Sequence, residues 1–100
     1  MTFRHVVMWT MRGPSESERA QQRDELVRRL RALPALIPQI RSFEVGAGDI
    51  RPLFFDVVLV SEFDDEQGLQ AYVTSPAHVE VIDYVREFTS DRAAVDYVVS

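Results

Sequence analysis

Four stretches of the chain carry the apolar pattern of β-strands, in which every second side chain shares a face. They are residues 2–12, 41–48, 53–63 and 92–99. The first and third stretches are apolar on both faces at their centres, which is typical of strands covered on both sides. Both are therefore expected to be inner strands of one sheet.

A helix start signal follows the first strand. Ser15 with Glu18 three residues later forms a capping box, in which each side chain satisfies a free backbone N–H of the other residue. Leucines then recur at three- and four-residue spacing, as in a helix with one apolar face. The helix is expected to run to about Leu33, because Pro34 cannot continue it.

The second helical region is predicted to break in its middle. It begins with an N-cap at Asp64 and runs to about Thr74. Ser75 is then expected to cap a further helix through its hydroxyl, and Pro76 suits the first helical position because its missing N–H costs nothing there. That helix is predicted to end near Thr89.

This order of elements, β-α-β-β-α-β, predicts an α+β, ferredoxin-like fold with a four-stranded antiparallel sheet, formed by residues 1–100 as one domain. Helices would cover one face of the sheet and leave the other bare. An exposed apolar patch of that size is unusual in an isolated domain, so the sequence predicts a homodimer through this face. The side chains concerned are Val6, Met8, Val58 and Val60.

Composition excludes several classes of function. The net charge is −5 with a pI near 4.9, and no lysine is present, which argues against a nucleic-acid surface. No cysteine is present, so disulfides, thiolate chemistry and cysteine zinc sites are excluded. No apolar run approaches the length of a membrane span, and the N-terminal residues lack a signal-peptide layout, so a cytoplasmic location is expected.

Three side chains are candidates for chemistry. His78 falls in the first turn of the last helix, where the partial positive charge of the helix start disfavours the protonated ring. Tyr72 lies one turn before the break, and the bend would direct both rings into one space. His5 shares its strand face with Val7 and Trp9 and would point toward the same gap. The competing interpretation is a hydrogen-bonded surface histidine, a core tyrosine and a core histidine.

The gap between sheet and helices is the predicted binding site, since an apolar pocket with a few polar groups is the usual form of a small-molecule site. The predicted binding walls are Val7, Trp9, Leu26, Leu30, Leu59, Val73 and Val81, together with Ala94, which is small where a closing strand usually carries a larger residue. The alternative is an interior filled by side chains, as native cores are close-packed. The two histidines cannot form a three-histidine metal site within one chain.

Three segments resemble the stress-responsive dimeric α+β barrel (Dabb) domain family. They are His5-Val6-Val7, Tyr72 through His78, and Asp96-Tyr97, and the resemblance extends over nearly the whole chain. It implies a ferredoxin-like subunit that pairs through its sheet into a barrel. One group in the family, the olivetolic acid cyclase-like polyketide cyclases, closes a linear polyketide by an intramolecular aldol step.

By motif match, the resemblance assigns the general base to His78, the assisting phenol to Tyr72 and the neighbouring first-strand histidine to His5. It implies no metal and no organic cofactor. This sequence departs from the cyclases in its walls, because their first-helix aromatic residues are Leu and Arg types here and Trp9 replaces an aliphatic residue. Two other readings stay open: a non-catalytic stress-related or scaffold dimer with a filled interior, and a cofactor-free monooxygenase.

Overall fold

The computed structural model describes residues 1–49 and 54–99, in which strands and helices follow in the predicted order. The elements are β1 (Thr2–Met11), α1 (Glu16–Arg31), a short 3-10 turn (Leu33–Ala35), β2 (Ser42–Ala47), β3 (Val57–Phe63), α2 (Glu66–Thr74), α3 (Pro76–Phe88) and β4 (Thr89–Val99). The sheet is antiparallel with the strand order β2-β3-β1-β4. The predicted ferredoxin-like fold is confirmed. None of the described helices is long and apolar enough to cross a membrane.

The boundaries of α1 and α2 follow the predicted signals with two corrections. The Ser15 hydroxyl accepts from the Glu18 backbone N–H at 3.0 Å, as expected of the capping box. The helix ends at Arg31 rather than Leu33, because the chain tightens into the 3-10 turn that contains the proline. The N-cap of α2 is Asp65, whose carboxylate accepts from the Gly68 N–H at 2.8 Å, and not Asp64.

Ser75 separates α2 from α3, as predicted, but its hydroxyl makes no cap hydrogen bond. Its backbone is extended, with φ −61° and ψ 135°, which is the conformation that a following proline enforces. The Ser75 carbonyl accepts from the Val79 N–H at 3.0 Å and so begins α3. Proline geometry, rather than side-chain capping, therefore sets this break.

Strand β3 is shorter than the sequence predicts. It begins at Val57, and residues 54–56 lie outside the strand; Leu53 and residues 50–52 lie outside the described residues. The Asp56 carboxylate accepts from the Met11 backbone N–H at 2.7 Å, and the Asp56 N–H donates to the Trp9 carbonyl at 2.8 Å. A side chain thus takes the place of a ladder partner, and regular pairing stops there.

Strand β4 begins at Thr89, three residues before the predicted start, directly after α3. The Thr89 hydroxyl donates to the Val85 carbonyl at 2.6 Å, and the same carbonyl accepts the Thr89 backbone N–H at the end of α3. Pairing with β1 then continues from Met11 to Thr2, with an irregularity beside Thr10. The polar residues 89–91, which the sequence places before the strand, therefore belong to β4.

The sheet has one face against the helices and one face free of them. The helix-side residues of β1 and β3 are almost fully buried: Val7, Trp9, Met11, Val57, Leu59, Ser61 and Phe63. Leu26 and Leu30 of α1 and Val81 and Val85 of α3 complete the core above them. The other face carries half-buried Val6, Met8, Val58 and Val60 together with exposed Val95. The apolar character of both faces is as predicted.

Candidate active site

A cavity of about 490 Å³ lies on the helix side of the sheet, between α3 and strands β1 and β4. Its lining is mainly apolar and includes a few ionisable groups. The lining residues are His5, Val7, Trp9, Leu30, Leu59, Tyr72, Val73, His78, Val79, Val81, Ile82, Asp83, Val85, Arg86 and Arg92. This volume falls within the usual range for small-molecule sites. The predicted gap between sheet and helices is therefore partly open.

Strand register orders the side chains beneath the cavity, of which His5, Val7, Trp9 and Arg92 line it. On the helix side, three residues of β1 lie directly opposite three residues of β4: His5 with Asp96, Val7 with Ala94, and Trp9 with Arg92. A polar pair therefore stands at one end of this strip, small apolar side chains lie in the middle, and an aromatic ring and a guanidinium stand at the other. The floor is suited to a ligand with distinct ends.

The break between α2 and α3 brings Tyr72 and His78 together. Because Ser75 is extended, the last turn of α2 and the first turn of α3 converge above β1. The two ring centroids are 4.4 Å apart, and the Tyr72 ring lies 6.3 Å from that of His5. The three side chains predicted to carry chemistry therefore form one cluster.

Tyr72 is the most enclosed member of the cluster. It is 1% exposed and packs against the rings of Phe63 at 5.2 Å and Phe43 at 6.3 Å. Burial raises the pKa of the Tyr72 phenol well above its usual value. The hydroxyl stays protonated at neutral pH, so it can donate a hydrogen bond to a developing oxyanion but does not act as a base.

His78 is held as a neutral acceptor. Its Nδ1 lies 3.0 Å from the Val73 carbonyl, which can only accept, so Nδ1 carries the proton and Nε2 is left with its lone pair. Burial lowers the pKa of His78, and the nearby His5 and Arg92 act in the same direction, although the carbonyl bond opposes them. A neutral imidazole with a free Nε2 can serve as a general base.

His5 is fixed by a residue that the sequence did not single out as its partner. Its Nδ1 hydrogen-bonds the Asp96 carboxylate across the β1–β4 pair, so this nitrogen is the donor. The His5 side chain is only 12% exposed, whereas Asp96 lies half in solvent. Asp96 orients the histidine from the edge strand.

Most of the predicted wall residues lie where they were expected. Six of them line the cavity: Val7, Trp9, Leu30, Leu59, Val73 and Val81. Leu26 does not line it, because this side chain is fully buried under α1. Ala94 does not line it either, because no helix covers β4 at that position and the residue is exposed.

Sequence reasoning missed the outer wall of the cavity. One flank of α3 carries Val79, Ile82, Asp83 and Arg86. Arg92 is the first residue of β4 that lines the cavity. The only available signal was alternation, which places Arg92 on the face of Ala94 and Asp96. The flank of α3 carries no apolar periodicity of its own, since the helix buries Val81, Tyr84 and Val85 instead.

Two further features concern polar atoms near the cavity. The Trp9 indole N–H is buried and has no hydrogen-bond partner within residues 1–49 and 54–99. Over the same residues, no cluster of three or more His, Asp or Glu side chains is arranged to hold a metal ion.

Comparison with known proteins identifies relatives of the chain. The model of the Stress responsive A/B Barrel Domain matches residues 3–99. A dimeric protein of unknown function from Bacteroides fragilis is 31% identical with a TM-score of 0.88, over 96% of this chain and 94% of that one. A dimeric ferredoxin-like protein from Thermobifida fusca is 26% identical with a TM-score of 0.82, over 99% and 92%.

Structural likeness also extends to a protein named as an enzyme. A hydroxynitrile lyase from Passiflora edulis has a TM-score of 0.82 at 15% identity, over 99% of this chain and 94% of that one. At this identity the likeness shows the shared fold alone. No curated protein sequence matches the chain significantly.

Proposed function

The chain belongs to the stress responsive A/B barrel domain family, and we propose that it is a homodimer that binds a small apolar or aromatic molecule in each subunit and performs cofactor-free acid–base chemistry on it. The observation that carries this proposal is the convergence of His78 and Tyr72, whose ring centroids are 4.4 Å apart, on a cavity of about 490 Å³. A filled interior, as in a purely structural dimer, would not leave this space.

The chemistry follows from the protonation states of the two side chains. Nε2 of neutral His78 removes a proton from a carbon between two carbonyl groups, and the electron pair of the broken C–H bond moves onto a carbonyl oxygen. The Tyr72 hydroxyl donates to that oxygen and stabilises the enolate. If the enolate carbon attacks a second carbonyl of the same molecule, a C–C bond forms and the new alkoxide takes the proton back from His78.

The surroundings support this division of roles. Val7, Leu59 and Val81 supply an apolar wall that would hold a flexible chain in a folded conformation for attack. His5, fixed by Asp96, has its ring centroid 6.3 Å from that of Tyr72, lines the same cavity and would contact the same substrate. The substrate class is accordingly a small molecule with an activated C–H group.

Binding can be tested by calorimetry with 1-phenyl-1,3-butanedione, an aromatic 1,3-diketone. We expect His78→Ala to weaken binding about fivefold to tenfold, as expected for loss of one hydrogen bond and its packing. Glu80→Ala is the matched control, since this exposed residue on α3 does not line the cavity. Equal affinity in His78→Ala and the wild type would remove His78 from the site.

The homodimer is proposed through the sheet face that no helix covers. Register places Val6 opposite both Val60 and Val95, and Met8 opposite both Val58 and Ala93, so apolar side chains form two adjacent rows across three strands. The similar proteins from Bacteroides fragilis and Thermobifida fusca are described as dimeric. The apolar rows favour pairing of two sheets, and the similar proteins favour a dimer.

Sedimentation at low micromolar concentration tests the pairing. Val6→Glu should yield monomers, because a charge in the middle of the apolar rows would be buried unpaired. Leu36→Glu places the same change at an exposed residue away from the sheet and should leave the dimer intact. A wild-type protein that is a stable folded monomer would contradict the proposed interface.

A further inference from the structure

Two guanidinium groups stand at the rim of the cavity. Arg92 is the first residue of β4 that lines the cavity, and it lies directly opposite Trp9. Arg86 lies in the last turn of α3. Both line the cavity. The acid–base chemistry proposed for His78 and Tyr72 uses neither of them.

These two arginines differ from most others in the chain. Among residues 1–49 and 54–99, five arginines pair with a carboxylate within 4.0 Å: Arg4, Arg23, Arg28, Arg29 and Arg41. Within the described part of the chain, neither Arg86 nor Arg92 has a hydrogen bond or an ion pair from its side chain. The chain has 16 acidic residues against 11 arginines, so acidic partners are plentiful. Two unpaired cations at one cavity are available to a ligand.

The remaining charges around the cavity define what the ligand would meet. Asp83 lies on the same flank of α3 as Arg86 and is not bonded to it, so its charge only partly offsets the two arginines. Arg92 is close enough to His78 that its positive charge lowers the pKa of that ring, in addition to the effect of burial. A bound anion beside Arg92 would therefore also affect the pKa of His78.

The floor gives the spacing between Arg92 and His5 along the paired strands. His5 and Arg92 occupy opposite ends of the β1–β4 strip, with Val7 and Ala94 between them. Four residues of antiparallel strand extend about 13 Å. This is room for an aromatic or short alkyl body along the floor between Arg92 and His5.

We propose that the ligand of this cavity is an organic anion, whose carboxylate binds Arg92 and Arg86 while its apolar body lies over Val7 and Leu59. This inference rests on the proposed function and specifies its substrate class as an aromatic or alkyl carboxylic acid. Guanidinium groups suit this task because they bind carboxylates through paired hydrogen bonds. The acidic surface elsewhere would repel the same anion, so recognition is confined to the rim.

The test compares 4-butylbenzoate with 4-butylbenzamide, which have the same shape but differ in charge. By calorimetry on the wild type, we expect the benzoate to bind about threefold to tenfold more tightly, because the arginines are partly solvated. Arg92→Gln should bring the two affinities together by weakening the benzoate alone, and Arg86→Gln should do so to a smaller extent. The preference should also shrink as ionic strength rises.

Arg12→Gln is the matched control. It removes the same charge from an exposed residue that does not line the cavity, and it should leave the preference unchanged. A loss of preference in Arg12→Gln equal to that in Arg92→Gln would reduce the effect to net charge and overturn the proposal.

A second readout follows the His78 ring by NMR titration. The charged groups facing it are His5 from β1 and Arg92 from β4, with the Tyr72 phenol from α2. Bound benzoate should raise the pKa of His78, because an anion favours the imidazolium, whereas benzamide should not. No difference between the two ligands would place the carboxylate away from Arg92.

The outcomes separate this inference from the function on which it rests. Equal affinities for benzoate and benzamide overturn the anion site and leave the binding cavity standing. Absence of binding by both molecules overturns the anion site and the aromatic-binding cavity together. A benzoate preference that Arg92→Gln abolishes supports both.

Discussion

The helix side of the sheet has two halves that are built differently. Under α1 and the turn that follows it, Leu26, Leu33, Ile37 and Val45 are buried and fill the space above the sheet. Under α3 and above β1 and β4, a cavity of about 490 Å³ remains. One half of the helix-covered face is thus close-packed, and the other half of that face holds an open site.

The difference comes from what each helix presents to the sheet. Leu26 and Leu30 of α1 are fully buried in the core, and α3 contributes Val81, Tyr84 and Val85 to it. The Tyr84 hydroxyl donates to the Gln22 carbonyl at 3.0 Å and ties α3 to α1. The outer flank of α3 is left above β4, whose helix-side residues are small or polar. Stability and function are therefore expected to depend on different halves.

The largest expected effect is a loss of stability in the filled half. Leu26→Ala should lower the free energy of unfolding by about 3 kcal/mol, because a fully enclosed side chain leaves a cavity when truncated. Val79→Ala, at the rim of the open half, should cost less than about 0.5 kcal/mol. Chemical denaturation measures both changes. Similar losses in the two variants would mean that the halves do not differ in packing.

The second effect is a loss of activity in the open half without a loss of stability. Tyr72→Phe removes only the hydroxyl and leaves the ring against Phe63, so unfolding should change little. Proton abstraction from ethyl benzoylacetate should fall about a hundredfold, as for loss of one oxyanion donor. Deuterium exchange followed by proton NMR measures this rate. An unchanged rate would restrict Tyr72 to packing.

A pair of enlarging substitutions sharpens the comparison. Val45→Phe in the filled half should destabilise by about 1–3 kcal/mol, because no space exists for the added atoms. Ile82→Phe should be tolerated, since its side chain lines the cavity and can extend into it. The same variant should lose binding of 1-phenyl-1,3-butanedione. If Ile82→Phe destabilises as much as Val45→Phe, the space is not available.

The smallest effect concerns pH and resides in the open half. Burial lowers the pKa of His78 below its ordinary 6.5, so below that pH the unfolded chain takes up a proton that the folded chain does not. Stability should consequently decline as pH falls from about 7 to 5. His78→Gln should show a shallower decline in thermal unfolding across this range. Parallel pH profiles would contradict the lowered pKa.

The sequence predicted the fold because local signals agree with it throughout. The structure contains the predicted strand alternation, the cap at Ser15 and the break at Ser75-Pro76. The errors lie at boundaries, where tertiary contacts decide. At Asp56 a carboxylate replaces a strand partner, and from Thr89 the polar start of β4 is strand only because it pairs with β1.

The site was predictable to the extent that it depends on those same signals. His5, Tyr72 and His78 come together because the strand face and the helix break direct them into one space. The partnership of His5 with Asp96 depends on the register of β1 and β4, which alternation alone does not fix. The places of Leu26 and Ala94 depend on how far α1 and α3 extend over the sheet, which no local pattern encodes.

The central claim is that neutral His78 acts as a base on a molecule in the open half. The most direct test is the deuterium exchange rate at the carbon between the carbonyls of ethyl benzoylacetate, for the wild type and for His78→Gln at neutral pH. We predict exchange well above the buffer rate with the wild type and exchange at the buffer rate with His78→Gln. Equal rates for the two proteins would contradict the claim.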